Sequence, residues 1–288
     1  MRVLIFGASG QVGLALQQTA PPGIHIVAHD LAETDIRRAD SVRAAVESTG
    51  PDLIVNCAAF TNVDAAESDP ESARAVNGLA PGTIAEAASG ANARLVHIST
   101  DYVFNGEAST PYAPNAATAP LSVYGATKLE GEQRVLRAAP NSVIVRTAWV
   151  HSSNGANFVK TAVRHLTAGK TMRVVDDQIG TPTRAAHLAH AIWRLSERPD
   201  ARGILHFTDS GVASWFDVAQ VVSATLEASN RLPADTCVRP IPSSAYPTPA
   251  RRPAYSVLDK HDSWQVFGYV PPQWHDGVKA SVIGLLNA

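Results

Sequence analysis

Gly7-Ala8-Ser9-Gly10-Gln11-Val12-Gly13 follows the aliphatic run Val3-Leu4-Ile5-Phe6 without a break and decides the fold. A strand that ends in glycines and turns straight into a helix presents that helix's unpaired N–H groups to an anion. In such a turn Gly7 ends the strand, Gly10 lets the backbone approach a diphosphate, and Gly13 lets the helix pack on the sheet. The spacing is GxxGxxG rather than GxGxxG, and a glycine-rich turn can also be only a tight turn. Support has to come from the rest of the chain.

Outward from this turn, short β-branched or aliphatic runs alternate with Ala-rich stretches of helix length, the pattern of βαβ units feeding a parallel sheet. Strands are expected at 3–6, 24–28, 53–56, 94–99 and 142–146, with helices near 11–19, 41–48, 70–88 and 123–137. The strands are apolar on both pleat faces, so helices should cover both sides of the sheet. After Arg146 the alternation loosens. Loops are expected at Ser152-Ser153-Asn154-Gly155 and across the Pro-rich 240–253, between helices near 158–167, 184–196, 215–228 and 276–286. The fold class is therefore α/β, a Rossmann-type doubly wound parallel sheet with a smaller C-terminal substrate-binding lobe. Residues 1–147 form the expected NAD(P)-binding domain and 148–288 mainly the lobe. Segments from about 170–210, with a strand near 203–207, return to the main sheet.

The 288 residues suffice for one extended α/β unit or two modest ones. A hydrophobic fraction of 45%, a charged fraction of 17% and a net charge of -2 remove any electrostatic case for nucleic acid or an acidic membrane surface. A small molecule is the better partner. Cys57 and Cys237 stand apart without metal-ligand spacing, which argues for a reducing, cytoplasmic setting and against disulfides. The first residues read as a strand rather than a signal peptide, and no run reaches transmembrane length.

Asp30, just after the second strand, lies where it can accept hydrogen bonds from the adenosine ribose. Its charge disfavours an added 2′-phosphate, yet His29, Arg37 and Arg38 are near enough in sequence to offset it, so the cofactor is NADPH or NADH. Asp35 and Ile36 offer one polar and one apolar flank for adenine, although a surface turn also explains them. Ala58, Ala59, Phe60 and Thr61 follow the third strand, where small side chains let backbone lie against ribose and diphosphate. A packed strand end needs small residues too.

Tyr124 and Lys128 are four apart, hence on one helical face. A phenol of reference pKa near 10 is a poor proton carrier at neutral pH, and an adjacent ammonium is expected to lower that value. Lys128 can also hydrogen-bond the nicotinamide ribose. Thr100, directly after the fourth strand, can donate to a carbonyl oxygen that gains negative charge during hydride attack. An exposed helix pair and a strand-end cap are the duller reading.

These residues resemble the extended short-chain dehydrogenase/reductases and, within them, the dTDP-4-dehydrorhamnose reductase family. The narrower resemblance rests on 55–67, Ser99-Thr100-Asp101-Tyr102-Val103-Phe104, 124–132, Arg146-Thr147-Ala148-Trp149-Val150, Asp177-Gln178-Ile179-Gly180-Thr181-Pro182-Thr183 and 246–253. It implies reduction of the 4-keto group of a dTDP-linked 4-keto-6-deoxy sugar, with Tyr124 as proton donor and Lys128 and Thr100 as its catalytic companions. By the same mapping, Gly10, Gln11, Val12, Asp30, Asp35, Ile36, Ala59, Phe60, Thr61, Tyr124 and Lys128 fall on cofactor positions. Gly7, Gly13, Ala58 and Ser99 join that side. Val63, Thr100, Asp101 and Trp149 fall on the substrate side, and Arg251, with Arg252 beside it, is a plausible diphosphate partner.

Some relatives bind magnesium through glutamates across a dimer interface, where this chain has Ala15 and Ala186. No metal site is expected, and a homodimer would lack a bridging metal. Two alternatives stay open. One is a reductase of another nucleotide-linked 4-keto-6-deoxy sugar; the other is a non-catalytic NADP-binding regulatory subunit resembling the β subunit of methionine adenosyltransferase. Trp193, Trp215, Trp264 and Trp274 read as packing residues, and Glu130 and Glu132 as a solvated helix face.

Overall fold

The computed structural model describes residues 1–287. Six parallel strands form the main sheet: β1 (Arg2–Phe6), β2 (His25–His29), β3 (Leu53–Asn56), β4 (Arg94–Thr100), β5 (Val143–Thr147) and β6 (Gly203–His206). Their order is β2-β1-β3-β4-β5-β6. The winding reverses between β1 and β3, and ligands bind such sheets at the carboxyl ends of the strands beside that reversal.

Alternation along β1 shows why both faces are covered. Val3 and Ile5 point to one side, where they meet Leu16 of α1 (Gln11–Gln18) and Leu188 and Ile192 of α6 (Ala185–Leu195). Leu4 and Phe6 point to the other, against α2 (Ala39–Thr49), α3 (Ala80–Gly90) and α4 (Val123–Ala138), through Val46, Ile84 and Val135. Each such side chain taken fully out of water stabilises the fold by about 1.5–3 kcal/mol. A separate apolar cluster holds α5 (Phe158–Thr167), α7 (Trp215–Ala228) and α8 (Trp274–Leu286) together through Val159, Leu166, Val218, Val222 and Val278.

Several boundaries differ from expectation. The stretch read as one helix at 70–88 is broken into Pro70–Arg74, a π-turn at Ala75–Leu79, and α3. The last helix starts earlier, at Trp274. Within 170–210, β6 joins the main sheet beside β5 and α6 packs on it, but Met172–Val175 pairs instead with Val238–Ile241 in a separate two-stranded sheet. That strand contains Pro240, in a segment expected to be loop; a two-stranded sheet tolerates a residue without an N–H because one side of each strand is free.

Candidate active site

A cleft of about 720 Å³ opens at the carboxyl ends of the main strands and extends to the helical lobe. At its β1 end the chain turns at Gly7, whose φ of +78° is open to glycine and whose added Cβ would lie 2.5 Å from Ala58 N. Gly13 lies behind this wall, where a Cβ would meet Gly7 O at 2.3 Å. No side chain caps α1 at Gly10, and its first turn holds no acidic residue. Gly10 N donates to Gly7 O at 3.2 Å, which leaves Gln11 and Val12 to bring unpaired N–H groups to the cleft wall, a fit for a diphosphate.

Asp30, Asp35 and Ile36 line the same end. Burial pushes the Asp30 carboxyl up, but the Ser9 hydroxyl and N–H and the Leu31 N–H together hold it below the usual carboxylate range. Ala58, Ala59 and Thr61 line the floor, whereas the Phe60 side chain does not. Asn77, on the π-turn, accepts from Phe60 N at 2.8 Å and donates to Phe60 O at 3.0 Å, so this buried amide holds the floor loop in place. π-turns often mark functional sites.

At the other end Ser122 caps α4, accepting from Gly125 N at 3.2 Å, and delivers Tyr124 and Lys128 to the cleft. Ser99, Thr100, Asp101 and Val63 complete this end. The Tyr124 ring meets Tyr102 edge to face at 5.6 Å. Lys128, 2% exposed, donates from Nζ to Ile98 O at 2.6 Å. The expected lowering of the phenol by Lys128 is not what the protein alone does. Burial pushes Tyr124 up to about 12, the Thr100 hydroxyl opposing and the Asp101 charge adding to it. Burial likewise pulls the Lys128 ammonium down to about 8. Asp101 is pushed up to about 6 by burial, opposed by the hydroxyls of Ser256 and Thr100, the latter donating to Oδ1 at 3.1 Å.

Trp149 closes the lobe side with φ +49°, its ring stacked on Trp215 at 3.6 Å and 9°. Trp215, expected as packing, lines the cleft with Phe158. Gln11 spans the two sides. Its side-chain nitrogen donates to Val150 O at 3.3 Å, and its oxygen accepts from Ser152 Oγ at 3.0 Å and Asn157 Nδ2 at 2.9 Å.

Arg251 is exposed and outside the cleft lining. Its neighbour Arg252 is committed to Asp64, with Nη2 to Oδ2 at 2.7 Å and Nη1 to Oδ1 at 3.1 Å. Glu132, expected on a solvated face, is buried, while Glu130 pairs with Arg74 and Arg134 outside. Of the residues reasoning from sequence missed, Ser9 had a signal, since it lies inside the glycine turn. Asn77 and Trp215 had none in their spacing.

The family model described as RmlD substrate binding domain matches residues 1–286. The dTDP-4-dehydrorhamnose reductase of Escherichia coli (strain K12) is 40% identical over 97% of this chain and 96% of its own. A Streptomyces antibioticus protein described as a probable dTDP-4,6-dihydroxy-2-methyloxan-3-one 4-ketoreductase is 42% identical over 100% of this chain and 97% of its own. Among solved structures, the dTDP-4-dehydrorhamnose reductase of Bacillus anthracis in complex with NADP superposes with a TM-score of 0.90 at 34% identity, covering 98% of each chain.

Proposed function

The chain belongs to the RmlD substrate binding domain family, and from that membership we propose NAD(P)H-dependent reduction of the 4-keto group of dTDP-6-deoxy-L-lyxo-4-hexulose to dTDP-L-rhamnose. One observation carries the reading. A single cleft has a glycine turn with free helix N–H groups at one end and Tyr124, Lys128 and Thr100 at the other.

Bound there, a reduced nicotinamide supplies hydride. Tyr124 gives its proton to the ketone oxygen; burial keeps the phenol protonated, the form a donor needs at neutral pH. The Lys128 ammonium, one helical turn away, favours the phenolate left behind. Thr100 adds a hydrogen bond where negative charge grows on oxygen. Asp30, Asp35, Ile36, Ser99 and the 58–61 loop serve the cofactor, and Val63, Asp101 and Trp149 the sugar nucleotide. Arg251, exposed and not among the residues that line the cleft, is left out of this set.

The enzyme acts in the cytoplasm on a small sugar nucleotide, with neither nucleic acid nor membrane as partner. Among the described residues no helix is long and apolar enough to cross a membrane. Any homodimer forms without a bridging metal, because Ala15 and Ala186 carry no carboxylate.

Tyr124→Phe tests the reading: turnover of the keto sugar nucleotide should fall by about 10²–10⁴-fold with cofactor binding retained. A second reading, another nucleotide-linked 4-keto-6-deoxy sugar as substrate, is favoured by the likeness to the Streptomyces antibioticus protein. A panel of keto sugar nucleotides separates the two. Cofactor binding by the wild type with no turnover on any of them would instead favour a regulatory subunit.

A further inference from the structure

Glu132 lies four residues beyond Lys128 on the stripe that also carries Tyr124. It is 1% exposed and accepts three hydrogen bonds: from Ser99 Oγ at 2.5 Å, Arg146 Nε at 2.9 Å and Arg146 Nη2 at 2.7 Å. Arg146, on β5 and 2% exposed, also donates to Pro114 O at 3.1 Å and lies 5.1 Å from the Phe104 ring centroid. A buried ion pair loses hydration that an apolar pair of equal size would not need, so fold stability alone is a weak reason to have one. Two of its neighbours, Ser99 and Lys128, line the cleft.

We propose that Glu132, clamped by Arg146, is a positioning residue for the reduction inferred above: its carboxylate holds Lys128 as an ammonium and fixes the Ser99 hydroxyl at the cleft wall. The surroundings of Lys128 single it out. Cys57, at the end of β3, is a neutral thiol because burial pushes it up to about 12. His97, on β4, is kept neutral by burial, well below its usual value. Asp101, in the turn after β4, acts on the Tyr124 phenol, and Arg146 is already paired. From the short helix Val63–Ser68, Glu67 accepts from Val123 N and Asp64 is held by Arg252. Arg74, Glu130 and Arg134 form their own cluster on the outer side of α4. Against the burial that pulls Lys128 down to about 8, Glu132 is the largest opposing influence.

Glu132→Gln keeps the shape and removes the charge. The basic limb of the kcat–pH profile should move down by about one unit, with about tenfold loss at high pH, little loss near pH 6.5 and an unchanged KM for the sugar nucleotide. The double variant Glu132→Leu/Arg146→Met removes both charges together, which preserves folding where a lone buried arginine would not; its basic limb should stay displaced. A wild-type limb in folded variants overturns the proposal, and so does failure of both to fold, which assigns the pair to stability alone. The pH dependence of NADH binding, read by energy transfer from tryptophan, should show the same displacement without turnover. If the wild type reduces no keto sugar nucleotide, the functional reading fails while this binding measurement still decides the role of Glu132.

Discussion

Ser9 donates its backbone N–H to Asp30 Oδ2 at 2.8 Å and its hydroxyl to the same oxygen. Leu31 N donates to Oδ1 at 2.8 Å, so the carboxylate is fixed at the end of β2. Glu33 Oε2 accepts from Asp30 N at 2.9 Å and brings a second negative charge. The arginines that could offset them are committed elsewhere, Arg37 to Asp35 and Arg38 to Asp40, each at 2.8 Å.

A ribose hydroxyl can donate to this carboxylate, whereas a 2′-phosphate meets like charge. We therefore expect kcat/KM for NADH to exceed that for NADPH by about tenfold, or about 1.4 kcal/mol. Asp30→Ser should narrow the ratio. Steady-state rates with both cofactors check this, and a wild-type preference for NADPH refutes it.

Gly7→Ala places a methyl against Ala58 N in a backbone region that alanine avoids. The expected cost is about 1–3 kcal/mol from the backbone alone, with cofactor affinity lost as the turn shifts. Urea unfolding and NADH titration report the two effects. Wild-type values in both would mean that the turn yields easily.

Asp101 has a folded-state pKa raised to about 6, so between about pH 4 and 6 the folded state holds more protons than the unfolded one. Its contribution to stability is therefore lost as pH rises through that window. Asp101→Asn removes the penalty of a buried charge, and the variant should gain about 1–3 kcal/mol over wild type at pH 7.5 and much less at pH 4.5. Denaturant unfolding at the two values measures this difference, in which the other titrating groups cancel. A gain independent of pH would contradict the assignment.

The Arg252–Asp64 pair ties the Thr248–Pro253 segment to the helix that follows β3, with Arg252 also donating to Thr248 Oγ1 at 2.5 Å. It is partly buried, so a double-mutant cycle of Arg252→Ala and Asp64→Ala should yield a coupling of about 1 kcal/mol. Additive losses would show that the two side chains act separately.

The sheet is legible in the sequence because Leu53–Asn56 and its neighbours are apolar on both faces and Gly7 stops β1 at a fixed point. Tyr124 and Lys128 are legible because one helical turn separates them whatever surrounds the helix. Glu132 lies on that same stripe, yet a lone glutamate reads as solvated until Arg146, on a different strand, is seen to face it. The pairing of Met172–Val175 with Val238–Ile241 is hidden for a related reason. Its register depends on a distant partner, and Pro240 argues locally against a strand. Adjacent arginines cannot be told apart by pattern, and only the position of Asp64 decides that Arg252 is the half-buried, paired one. Trp215 begins an amphipathic helix beside Phe216, with nothing in its spacing to mark the indole of Trp149 stacked on it.

Gln11 opens α1 and at the same time grips Val150, Ser152 and Asn157, the last of which caps α5 by accepting from Lys160 N at 2.9 Å. One side chain thus connects the phosphate end of the cleft to the first helix of the lobe. A ligand held on the start of α1 should therefore steady the wall on which we place the sugar. The two substrates should accordingly arrive in compulsory sequence, dinucleotide leading, and it should be the last to depart.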